Sequence, residues 1–182
     1  GSGNPGATNV LRIAGEKAAA LTLAGDSLKG FLPLVFFAIL RRFFPAGVDD
    51  LTIILVGLGA FFGHLYPIFF ELKGGKGVAT AFGVLLGWNP VVALLSVGIW
   101  GAVFWNTKIS SLSALTAAGF AVIATIFYAP LDYLRLAVFV MVGMLIYRHR
   151  SNIERLIKGE EIPFGQSKPL SDDDDDDDND ED

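Results

Sequence analysis

The amino-acid sequence predicts an all-α fold, a polytopic membrane helix bundle, on three observations. Hydrophobic residues make up 52% of the 182-residue chain and charged residues only 18%, with 15 Phe, a balance suited to lipid rather than water. The apolar residues gather into five or six runs that approach the ~20 residues needed to cross a ~30 Å hydrocarbon core. Trp88, Trp100, Trp105, Tyr128 and Tyr147 fall mostly near the ends of those runs, where interfacial aromatics sit.

In chain order the runs cover residues 17–40, 51–70, 78–88, 90–105, 112–128 and 131–147. The first carries Asp26 and Lys29, three residues apart and so on one helix face, able to pair. Charges inside a membrane are costly and usually face the bundle interior, which leaves a structural pair and a role in a site both open. The third run, 78–88, is too short to span unaided and reads as a half-buried helix or a thin-membrane span. Six crossings would place both termini and the loops at 71–77 and 106–111 on one side. That side holds ten Lys and Arg against Arg41, Arg42 and Arg135 opposite, so it is expected to be cytoplasmic, in a multi-pass protein.

The formal charge of −5 conceals a basic body, because ten of the 19 acids lie in residues 172–182, leaving nine against 14 bases. Residues 171–182 are therefore expected to be a disordered acidic tail behind a single integral membrane domain, residues 1–170. With no Cys there is no disulfide framework, no thiolate nucleophile and no thiolate metal site. Two histidines alone, His64 and His149, argue against zinc. No metal, cofactor, nucleic acid or protein partner is called for; the expected partners are membrane lipids and small substrates.

Three polar stretches on the cytoplasmic side concentrate groups that hold anions. The first, residues 2–9, offers Ser2, Asn4, Thr8 and Asn9 among three early glycines and is followed by Arg12; by itself it also reads as a simple turn. The second runs from His64 through Lys73, Gly74, Gly75, Lys76 and Gly77 to Thr80. Glycines flanking two lysines before a helix supply a backbone nest, a helix N-terminus and two ammonium groups, three independent terms that favour phosphate. It is not a Walker A loop, since Gly77 follows Lys76, and ATP is not implied. The third stretch, residues 148–161, leaves the last apolar run with His149 between Arg148 and Arg150. Neighbouring cations favour a neutral imidazole able to accept a proton, although a basic stripe snorkelling to lipid phosphates fits as well.

Taken in order, SGNPGATN with a following Arg, GHxxPxFxxxKGGKGVAT and RHxxNIxRLxxGxE resemble the three signature motifs of the bacterial acyl-phosphate:glycerol-3-phosphate acyltransferases. The likeness runs from Gly1 to Glu161, and the DxxKG at Asp26–Gly30 also fits. It implies a seven-helix bacterial inner-membrane enzyme of phospholipid biosynthesis. The acyl group would pass from acyl phosphate to the 1-hydroxyl of glycerol 3-phosphate, giving 1-acylglycerol 3-phosphate and phosphate. Since six runs are visible, the family's first helix is expected upstream of Gly1.

Carried over by position, the resemblance places substrate phosphate binding on Lys73, Gly74, Gly75, Lys76 and Gly77, with His64 and Thr80 more loosely. It gives essential polar roles to Ser2, Asn4, Arg12, His149 and Asn152. Charge adds Arg148 as a neutraliser of the donor phosphate. The rival class is a membrane transporter of a phosphorylated metabolite, which would show paired broken helices in two halves; one glycine-rich break is visible.

Overall fold

The structure, a computed structural model, describes residues 3–129 and 132–166. Ser2 and the acidic run at 171–182 lie outside the described residues. The elements are α1 (Ala7–Phe43), α2 (Asp50–Leu65), a 3-10 turn at Ile68–Phe70, α3 (Val78–Trp88), α4 (Pro90–Thr107), α5 (Ser110–Tyr128), α6 (Asp132–Arg148) and α7 (Arg150–Lys158). The all-α prediction holds, with differences in detail that have physical reasons.

The first helix begins at Ala7 rather than at residue 17, because Gly15 absorbs a non-helical φ of 81° and lets a separate helical piece precede the apolar run. The second run divides: α2 stops at Leu65, and Pro67 leads into the 3-10 turn. Among the described residues, four helical stretches are long and apolar enough to cross a membrane by length and composition, those of α1, α2 with the turn after it, α4 and α5. α6 has 17 residues and α3 has 11, about 16 Å of helix, so α3 is short of the hydrocarbon thickness. Most of the third polar stretch forms a further helix beyond the apolar runs, the amphipathic α7.

Helix starts follow the sequence. The Asp49 carboxylate accepts the Thr52 N–H at 2.7 Å to cap α2, and the Asn89 side chain accepts the Val92 N–H at 3.1 Å with Pro90 in the first helical position of α4. Asn89 also donates to the Tyr128 carbonyl at 2.8 Å, tying the α3–α4 junction to the far end of α5.

Without water to drive helices together inside lipid, close approach depends on small residues. The α1–α3 contact shows it. A Cβ on Gly83 would overlap the Ser27 carbonyl, one on Gly30 the Thr80 carbonyl, and one on Gly87 would lie 2.5 Å from the Leu34 side chain. Trp88 lies over Gly57 and donates to the Ile53 carbonyl at 3.3 Å. Phe61, Leu65, Val84, Val92, Val138 and Met141 form the buried interior, while Phe36, Leu94, Phe127 and Phe139 point outward. That reversal of the usual distribution is stable only where hydrocarbon is the solvent.

Gly83→Val should press the α1 backbone away from α3 and cost about 1–3 kcal/mol. Thermal unfolding in detergent should show a lowered midpoint for it and no change for Gly119→Ala, where an added Cβ meets nothing.

Candidate functional site

At the end of the bundle where α2, α4 and α6 finish, the three polar stretches converge on one cavity of about 880 Å³. Its polar end is lined by Asn4, Thr8, Arg12, Lys76, His149 and Asn152, and by Ser111, Arg155 and Glu161. The cavity continues between helices past Phe82, Leu85, Ala117, Ala121 and Met141, with Asp26, Ser27, His64 and Ser96 the polar residues along that part.

The polar end is held by one carboxylate. α7 ends at Gly159, whose φ of 71° lets the Glu160 N–H return to the Arg155 carbonyl at 2.8 Å, and this turn carries Glu161 back beneath the helix. There Glu161 accepts hydrogen bonds from Ser111 Oγ, Asn152 Nδ2 and Arg155 Nε, each at 2.6 Å. Burial alone would raise its pKa, but those three donors hold it below the usual carboxylate range. The Asn152 amide is thereby oriented, and its Oδ1 accepts from Lys76 Nζ. Burial pushes the Lys76 ammonium below the ordinary lysine range; Glu161 opposes this, and Arg155, Arg148 and Arg12 reinforce it.

His149 caps the start of α7 and is 2% exposed. Its Nδ1 pairs with the Leu145 carbonyl at 2.8 Å, an arrangement in which the N–H donates and the Nε2 lone pair is left to act. Burial lowers its pKa to about 4, with Lys76 and Arg148 adding to the effect against the carbonyl and Glu161. The imidazole is therefore neutral at pH 7 mainly through desolvation rather than through the flanking arginines.

The glycine segment behaves differently from an open nest. Gly74 packs against the backbone carbonyls of His64 and Leu65, Gly75 against the His64 ring, and Gly77, at φ 86°, against Phe61 and Leu65. Arg148 donates to the carbonyl of Gly74 at 2.6 Å and of Gly75 at 3.2 Å. The glycines thus seat the loop on the end of α2 and aim Lys76 inward.

The sequence of this chain matches the profile of the glycerol-3-phosphate acyltransferase family over residues 1–159. A glycerol-3-phosphate acyltransferase of Paraburkholderia phytofirmans is 47% identical over 168 residues, which cover 92% of this chain and 78% of that protein. The chain belongs to the glycerol-3-phosphate acyltransferase family. The enzyme of the same name from Neisseria meningitidis serogroup A is 46% identical, across 92% of this chain and 83% of that one. The crystal structure of an integral membrane glycerol 3-phosphate acyltransferase in its glycerol 3-phosphate form superposes with a TM-score of 0.82 and 41% identity, covering 91% of this chain and 80% of the other. Its lysophosphatidic acid form gives 0.81. The chain is therefore an integral membrane acyltransferase, and the transporter class falls away.

Of the residues singled out in this acyltransferase by sequence, Asn4, Arg12, His64, Lys76, Gly77, His149 and Asn152 line the cavity. Others stand elsewhere. Lys73 is 79% exposed and pairs with Glu71 at 2.7 Å, because the left-handed residues Glu71 and Leu72 turn it outward. Gly74, Gly75 and Arg148 support the loop from outside, and Thr80 is wholly buried against Gly30. Sequence reasoning passed over Glu161, Arg155, Ser110 and Ser111. The G-x-E at the end of the third motif was the signal for Glu161, whereas the α5 serines carried none.

The histidine makes a prediction with a fixed sign. Its folded pKa lies below its unfolded value, so its contribution to stability is full above pH 6.5 and is lost as pH falls toward 4, by up to about 1.4 kcal/mol per pH unit. In thermal unfolding over that window, His149→Gln should show a shallower loss than the unaltered protein.

Proposed function

We propose that this acyltransferase takes its acyl group from an acyl phosphate and delivers it to the 1-hydroxyl of glycerol 3-phosphate, forming 1-acylglycerol 3-phosphate and inorganic phosphate. The observation that carries the reading is the cavity itself. Cations and a neutral imidazole stand among its lining residues, and the same cavity has a mainly apolar wall between helices, which suits an acyl chain.

An acyl phosphate is a mixed anhydride and already activated, so positioning and charge stabilisation are the main requirements. Lys76 is assigned to the glycerol 3-phosphate phosphate and Arg12 to the phosphate of the donor. Asn152, oriented by Glu161, has an amide N–H edge suited to the carbonyl oxygen as it gains charge. His149 Nε2 takes the hydroxyl proton as the acceptor oxygen bonds to the carbonyl carbon, the carbon–oxygen bond to phosphate breaks, and the leaving phosphate receives the proton. Asn4 completes the polar wall. No covalent enzyme intermediate is needed, and Ser2 is assigned a hydrogen-bonding role.

The excess of Lys and Arg at the motif end supports a cytoplasmic placement of this site, in the inner membrane of a bacterium. The partners in this reading are membrane lipids and the two phosphorylated substrates.

Incubating the membrane-embedded protein with a synthetic acyl phosphate and labelled glycerol 3-phosphate tests the proposal. Phosphate and labelled lysophosphatidate should appear in equal amounts, and His149→Gln should lower kcat by about 10²–10⁴-fold. Turnover with an acyl thioester but none with acyl phosphate would exclude the donor assigned here; near-normal turnover in the variant would exclude the imidazole as base.

A further inference from the structure

One polar contact joins α1, α2 and the glycine loop yet takes no part in the chemistry above. Asp26 is set in the long apolar helix α1 with its side chain 15% exposed. Its Oδ1 accepts from Lys29 Nζ at 2.6 Å and faces His64 Nδ1 at 3.5 Å. A carboxylate in such a helix is costly and is kept where it holds a partner.

His64 stands in the last turn of α2 and is 9% exposed. The nearby carboxylate favours a proton on Nδ1 and so favours one tautomer, as outer carboxylates do for functional histidines elsewhere. The opposite edge of the ring then lies against Gly75: a Cβ there would overlap Nε2 and stand 2.8 Å from Cε1. From the other side Arg148 grips the carbonyls of Gly74 and Gly75. The loop is clamped between the imidazole and the guanidinium, and the next residue is Lys76.

We infer that Asp26 and His64 are a positioning pair that sets the seat of the 73–77 loop and so fixes where the Lys76 ammonium meets the anionic group of the acceptor. This rests on the reading of Lys76 as a phosphate ligand. It gives His64 a task other than binding phosphate, and it makes the absence of a side chain at Gly75 part of the same device.

The test uses the full chain in detergent, with glycerol 3-phosphate binding measured by calorimetry and steady-state kinetics alongside. Asp26→Asn and His64→Gln should each weaken binding and raise KM about tenfold while kcat stays within about threefold, and the double variant should be no worse than the weaker single one. Gly75→Ala should weaken binding when His64 is present and add nothing to His64→Ala, whose missing ring leaves room for the new methyl group. Should Asp26→Asn fail to fold, the comparison of His64→Ala with the Gly75→Ala/His64→Ala double variant carries the test by itself. If Lys76→Ala loses binding while Asp26→Asn and His64→Gln bind normally, or if the Gly75 and His64 effects add, the positioning pair is wrong. If Lys76→Ala binds glycerol 3-phosphate normally, the phosphate assignment of Lys76 fails instead.

Discussion

The half-buried carboxylate of Glu161 holds the polar end of the site together. It gathers Ser111 from the start of α5 and Asn152 and Arg155 from α7, and through Asn152 it reaches Lys76 in the loop before α3. A set of cations half-withdrawn from water repel one another and lose solvation, and a shared anion with three donors offsets both costs. The same connection fixes one oxygen of Asn152 on Lys76, which leaves the amide N–H group and the ammonium with defined directions. Remote parts of the chain thus become one surface at one end of the bundle.

The membrane shapes what surrounds that surface. With hydrocarbon as solvent, many large apolar side chains turn outward, and glycines and alanines let the helices close around an interior of Phe61, Met141 and aliphatic residues. Tight α1–α3 contact through Gly30, Gly83 and Gly87 fixes α1 in the bundle, where Asp26 lies beside His64, while Gly15 lets the chain before it turn so that Asn4, Thr8 and Arg12 line the same cavity. Small residues on α5, Ala114 to Ala121, keep the channel open below the polar end. A reaction between a lipid-soluble acyl group and a water-soluble phosphate ester requires this junction of two solvents.

Much of this was legible in the sequence, and the reasons for the misses are local. Apolar runs located the helices of the bundle because length and composition decide them in a membrane. The kink at Gly15 and the break after Leu65 were not visible, since one glycine or proline is tolerated in many helices and tertiary contacts select the outcome. The helix in the third motif was not among the apolar runs because its apolar face is carried by few residues between charges. Lys76 and His149 could be named from residue type and context, but Lys73 could not be separated from Lys76, because only the left-handed turn at Glu71 and Leu72 sends one outward and the other in. Ser111 had no mark at all, as a serine at a helix start is commonplace, and its meaning comes from the carboxylate it meets.

In the proposed reaction Lys76, set by Asn152 and Glu161, receives the phosphate of the acceptor inside the shared cavity. A structure of this protein determined with glycerol 3-phosphate addresses it most directly. Phosphate oxygens are expected within hydrogen-bonding distance of Lys76 Nζ, with the glycerol 1-hydroxyl turned toward His149 Nε2. A phosphate seated on the exposed Lys73, with Lys76 still closed on Asn152, would contradict it.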